Sequence, residues 1–144
     1  PAPAVPTNAT VPANPPAAGG GQPDTAQEQE LLAGINAYRQ QNGLQPLAYN
    51  PQLDRAAQGY SDYLASTGQF DHNAGGTTPM QRMRQAGYQG NRFAENLAKG
   101  QRTPQQALQG WINSPGHNRN LLDPNVREIG LGLANNVWTM NTGA

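Results

Sequence analysis

The sequence predicts an α+β fold in which several short helices pack on a small, mainly antiparallel sheet. Two observations carry that prediction. Capped helix starts recur at Thr25, Asn50, Thr78, Thr103 and Ser114, and four of the five are followed directly by proline. A Ser, Thr or Asn cap satisfies free N–H groups of the first turn, and proline fits the first helical position, where its missing N–H costs nothing. At the far end of the chain Ile129, Leu131 and Leu133 alternate with Gly130 and Gly132, and Asn135-Asn136 precedes Val137-Trp138-Thr139-Met140. Period-two alternation followed by a tight turn is a β-hairpin.

Each element follows in order. Thr25-Ala26-Gln27-Glu28 is a capping box, and Leu31, Leu32, Ile35 and Tyr38 then recur at helical spacing until Asn42-Gly43 stops the turn. Leu44 to Tyr49 reads as a connector. Asn50-Pro51 opens a second helix whose apolar face is Leu53, Ala56, Ala57, Tyr60 and Leu64, and Gly68 ends it. Gln69 to Thr77 is a loop containing Phe70, Asp71 and His72. Thr78-Pro79-Met80-Gln81 opens a short helix that ends near Gly87. Tyr88 to Ala98 is partly buried chain around Glu95-Asn96. Thr103-Pro104 opens a helix carrying Ala107, Leu108, Trp111 and Ile112 inward. Ser114-Pro115 opens the last helix, which Asp123-Pro124 stops. In the terminal hairpin one strand face is apolar and the other bare, so that a helix or another backbone can approach closely.

Composition divides the chain in two. Pro1 to Pro23 holds seven of the thirteen prolines and almost nothing that could form a core. Such a segment cannot bury enough apolar surface to offset its ordering entropy. Residues 1–24 are therefore expected to be an extended arm or linker, and residues 25–144 the folded domain. A Pro/Ala-rich spacer before a domain suits the outer side of a membrane, and in extended form it suits docking on another protein. Formal net charge is zero, with no basic stripe, so nucleic acid is not an expected partner. No apolar run approaches membrane-spanning length. The absence of cysteine excludes disulfides and thiolate metal sites.

The residues that could carry chemistry are few. There are two histidines, His72 and His117. His117 falls in the first turn of the Ser114 helix, where the helix end disfavours imidazolium, so it is expected to be neutral and able to accept a proton or bind a metal. The Ser114 hydroxyl is expected to be engaged as the cap. Taken singly, His72, Glu95 and His117 each have an ordinary structural explanation, and spacing alone does not bring them together.

Four motifs occurring in order do more. Asp71-His72, Ala94-Glu95-Asn96-Leu97-Ala98-Lys99-Gly100, Trp111 to His117, and Glu128-Ile129-Gly130-Leu131-Gly132 resemble the CAP superfamily of cysteine-rich secretory, antigen 5 and pathogenesis-related proteins. The likeness is to its short, cysteine-free bacterial branch and covers about Leu31 to Thr142. The resemblance implies an α-β-α sandwich, an extracellular, periplasmic or cell-surface location, and an open cleft lined by His72, Glu95 and His117. Many such proteins bind a divalent ion, zinc or magnesium, in that cleft. This chain departs from the pattern: serine, Ser114, occupies the position of the second cleft glutamate, and Glu128 is the nearest acidic substitute by motif. A site of two histidines and one carboxylate is expected to bind metal weakly at most, and to lose it in acid as the imidazoles protonate. The competing reading is a hydrogen-bonded polar cleft that binds none.

The resemblance leaves two functional readings. One is a non-enzymatic binding or scaffold module outside the cell, for which lipid or sterol ligands are known in other branches. The other is an extracellular hydrolase, protease-like, that uses the same histidines and Glu95 to activate water.

Overall fold

The computed structural model describes residues 21–144. The expected arm lies outside them apart from its last four residues, of which Pro23 is buried and accepts a hydrogen bond from Gln29 Nε2 at 2.9 Å. The elements are α1 (Ala26–Gln41), β1 (Ala48–Tyr49), α2 (Pro51–Thr67), α3 (Pro79–Gln85), β2 (Phe93–Lys99), α4 (Pro104–Ile112), α5 (Pro115–Leu121), β3 (Glu128–Ala134) and β4 (Val137–Gly143).

Every helix begins at its expected cap. Thr25 and Thr78 close full capping boxes. Asn50 accepts from the N–H groups of Gln52 and Leu53, and Thr103 from that of Gln106. The β3–β4 hairpin turns through Asn135 and Asn136, both at positive φ (52° and 62°), which matches the right-handed twist of the strands. Two strands were not expected. The connector after α1 contains β1, and the stretch around Glu95-Asn96 is β2. Neither alternates apolar with polar: β1 is two residues long, and β2 buries Glu95 and Asn96 side by side.

The sheet order is β1-β3-β4-β2, with β1 parallel to β3 and the other pairs antiparallel. Helices cover both faces, giving the α-β-α sandwich. On one face Ile129, Leu131, Trp138 and Met140 pack against Leu31, Ile35, Ala107, Trp111 and Leu121 to form the main core. Buried Arg39 ties this layer together, donating to the carbonyls of Gln45, Leu121 and Asp123 at 2.8–3.0 Å.

On the other face α2 lies directly on the bare side of β3. A Cβ at Gly130 would sit 2.1 Å from the Asp54 nitrogen, and one at Gly132 would sit 2.3 Å from the Ala57 oxygen. The two glycines therefore set how close helix and sheet come. β1 pairs with only the first two residues of β3. Beyond it α2 covers the open edge: Asp54 accepts from Leu131 N, and Gln58 both accepts from Leu133 N and donates to Leu133 O. An unpaired strand edge invites association with other chains, and these side chains blunt it.

Gly130→Ala should therefore lower unfolding free energy by about 3 kcal/mol or more, since backbone cannot yield as a flexible side chain would. Gly59, inside α2, has nothing within 4 Å of an added Cβ. Gly59→Ala should raise stability by about 0.5–1 kcal/mol. Urea unfolding of both variants measures the contrast.

Candidate functional site

β2 builds the site by presenting different side chains to its two faces. Leu97 points into the cluster of Tyr60 and Leu64, while Ala98 joins the opposite core with Trp111 and Trp138. Glu95 lies on the first face and reaches Arg82 of α3. One guanidinium nitrogen, Nη2, lies 2.9 Å from both carboxylate oxygens, and His72 Nδ1 lies 2.9 Å from Oε1. The Glu95 side chain is almost fully buried and the Arg82 side chain nearly so, whereas His72 is half-exposed.

Arg82 also organises the loop that carries His72. Its other terminal nitrogen donates to the Thr77 carbonyl and hydroxyl at 3.1 and 3.0 Å. Its guanidinium lies 3.3 Å over the Tyr60 ring, a cation–π contact. The Tyr60 hydroxyl in turn donates to the Asp71 carbonyl and accepts from Ala74 N. His72 is thus positioned from both sides by residues that hold its backbone.

His117 arrives from α5. Asn96, on the opposite face of β2 from Glu95, donates to the His117 carbonyl at 3.1 Å. Asn120 donates to both Asn96 Oδ1 and the Glu95 carbonyl, so the α5 turn is pinned to the strand. His117 Nδ1 lies 2.9 Å from Ser114 Oγ.

The two histidines differ electrostatically. The hydrogen bond that His72 donates to Glu95 raises its pKa above the ordinary imidazole value and outweighs its burial. Burial lowers the His117 pKa, and the charge of His72 lowers it further, so the two rings share one field. His117 therefore favours the neutral form, with burial the larger cause and the neighbouring His72 the smaller.

Three further findings revise the sequence reading. Ser114 occupies the N-cap position, but its side chain makes no cap bond and is given to His117. Both partners were available within one turn, and the imidazole is the one it takes. Glu128 is not brought to the histidines: its carboxylate is taken by Tyr88 and Asn50 at 2.9 and 3.1 Å. Arg82, which the sequence did not single out, is the principal partner of Glu95. A lone arginine in a short helix carries no signal of burial; only its neighbour Met83 hints that this helix faces inward.

These bonds bear on metal binding. Among the described residues no group of three or more His, Asp or Glu side chains is arranged to hold an ion. Glu95 does not fit as a ligand, because the Arg82 cation already sits against both of its oxygens and would repel a metal ion there. The imidazoles fit better. Each uses Nδ1 within the protein, and neither Nε2 makes a hydrogen bond among the described residues. A carboxylate behind a histidine commonly fixes the tautomer that exposes Nε2.

The chain is similar to known proteins along most of its length. The model of the cysteine-rich secretory protein (CAP) family matches residues 32–140. An uncharacterised Bacillus subtilis protein, YkwD, is 35% identical over 118 residues, which are 80% of this chain and 46% of that protein. The chain thus spans about half of that relative's length. An extracellular protein from Bacillus anthracis containing an SCP domain superimposes with a TM-score of 0.77 at 26% identity, covering 85% of this chain and 45% of that one. An outer surface protein of Borrelia burgdorferi superimposes with a TM-score of 0.73 at 27% identity, covering 78% of this chain and 88% of that one.

The electrostatics predict how the cleft titrates. His72 should titrate at higher pH than His117 when the ring protons are followed by NMR. Glu95→Gln should bring the His72 midpoint down toward about 6.5. Because its folded pKa is raised, His72 stabilises the fold fully below about pH 6.5, and that contribution fades as pH rises through the folded value. His117 acts in the opposite sense, opposing the fold as pH falls below about 6.5.

Proposed function

The chain belongs to the cysteine-rich secretory protein (CAP) family, and from that premise we propose that it works outside the cell as a non-enzymatic binding or scaffold module. The extracellular and outer-surface descriptions of its structural neighbours support the location. Among the described residues no helix is long and apolar enough to cross a membrane.

One observation carries the non-enzymatic reading: Arg82 occupies both oxygens of Glu95. A general base must have a lone pair within reach of the proton it takes. Here three of the carboxylate's about four lone-pair sites are spent on a buried guanidinium and on orienting His72. Such a group is suited to holding a shape. The cleft offers other molecules the half-exposed His72 ring, with His117 beside it. A divalent ion such as zinc would rest on the two imidazole Nε2 atoms and on water, and so be held weakly.

A second reading has an observation of its own. Ser114 Oγ is hydrogen-bonded to an imidazole that favours the neutral form. A hydroxyl paired with a neutral histidine is the beginning of a nucleophile, as a hydrolase needs. No side chain orients the His117 ring on its far nitrogen among the described residues, and this weighs toward the non-enzymatic reading.

Zinc titration by calorimetry at neutral pH should give weak heats that vanish in His72→Ala and weaken below about pH 6.5. Tight binding that survives His72→Ala would contradict this cleft. On ester and peptide substrates, wild type and His117→Ala should show the same background rate. A rate above background that disappears in His117→Ala would replace the binding module with the hydrolase.

A further inference from the structure

Three buried side-chain atoms on the Glu95 side of the sheet have no hydrogen-bond partner among the described residues: Arg82 Nε, Asn141 Nδ2 and Asn141 Oδ1. Asn141 is fully buried. In the sheet register it stands opposite Glu95 on β2 and opposite Gly130 on β3. Side chains directly opposite on one face have Cβ atoms about 4.5–5.5 Å apart. The Asn141 amide therefore leaves the sheet beside the Glu95 carboxylate, with no side chain between them, while the α2 backbone at Leu53 and Asp54 closes its other flank over Gly130. The guanidinium that carries the orphaned Nε is the one that grips Glu95.

Glu95 has room for one more bond. A carboxylate offers about four lone-pair sites. Arg82 uses one on each oxygen and His72 uses the second on Oε1, which leaves Oε2 one acceptor position. The polar groups behind the cleft thus comprise two donors, Arg82 Nε and Asn141 Nδ2, and two acceptors, Asn141 Oδ1 and Glu95 Oε2. Leaving such groups buried and unpaired is costly, and native interiors seldom do so.

The balance selects the ligand. A cation would meet the Arg82 charge and three N–H bonds, one on Arg82 Nε and two on Asn141 Nδ2. An anion would meet a carboxylate and an amide oxygen. Water donates two hydrogen bonds and accepts two, and buried waters typically make about three bonds to otherwise unsatisfied groups. We propose that Asn141, Arg82 and Glu95 form a buried hydration site, holding one or two water molecules behind the cleft carboxylate. The water completes the Glu95 shell from the interior and fixes the carboxylate that positions His72. Asn141 is then a positioning residue that acts through water.

The test uses the ¹⁵N-labelled wild-type protein. Water cross-peaks to the Asn141 side-chain amide and to the Arg82 Nε–H should have the sign of water that tumbles with the protein, after correction for proton exchange. Their absence from both groups would overturn the proposal, whether or not any variant folds. In Asn141→Leu the Arg82 Nε–H cross-peak should disappear, and the His72 ring resonances should shift while the core resonances of Trp111 and Trp138 stay in place. An Arg82 cross-peak that persists unchanged in that variant would overturn the shared site.

Discussion

The buried pair between Arg82 and Glu95 ties a short helix to the outer strand of the sheet. Glu95 belongs to an edge strand and Arg82 to a seven-residue helix. Through Tyr60 and Thr77 the same guanidinium anchors the loop that supplies His72. Two charges removed from water are costly unless geometry and further hydrogen bonds compensate. Here both carboxylate oxygens are gripped, the guanidinium lies on an aromatic face, and loop oxygens take the remaining donors on one side. His72 is held in place because this pair is closed.

The cleft is also a consequence of how the sheet ends. Two strand edges are left uncovered by adjoining strands, that of β3 beyond the short β1 and that of β2, and in both cases side chains cover them. Asp54 and Gln58 of α2 cover β3 beyond β1. Along β2, Asn120 donates to the Glu95 carbonyl and Trp111 Nε1 to the Leu97 carbonyl. The residues that pin α5 to the β2 edge are the ones that bring His117 into the field of His72. Edge protection and site assembly are therefore one set of hydrogen bonds, and the polar residues around Glu95 have a structural duty whatever the cleft binds.

Much of this was legible in the sequence because it is local. Caps at Thr25, Asn50, Thr78 and Thr103 act within one turn, and the Asn135-Asn136 turn within four residues. The bare face of Gly130 and Gly132 announced a close approach before its partner, α2, was known. What was illegible depends on distant partners. β2 hides because Glu95 and Asn96 are polar yet buried, each satisfied by groups remote in sequence. Arg82 resembles a surface charge until Glu95 and Tyr60 are beside it. His72, Glu95 and His117 were joined by resemblance to a family, not by spacing. Glu128 fell in a matching motif, but Tyr88 and Asn50 claim it instead.

The most direct test of this account is a double-mutant cycle on the central pair, read by urea unfolding. Arg82→Gln should lose about 3–5 kcal/mol, because it leaves a buried carboxylate without its partner. Arg82→Gln combined with Glu95→Gln should recover part of that loss, with a coupling energy above about 1 kcal/mol. Single effects that simply add, or an Arg82→Gln protein within about 0.5 kcal/mol of wild type, would mean that the pair does not hold the cleft and that Glu95 is free for other chemistry.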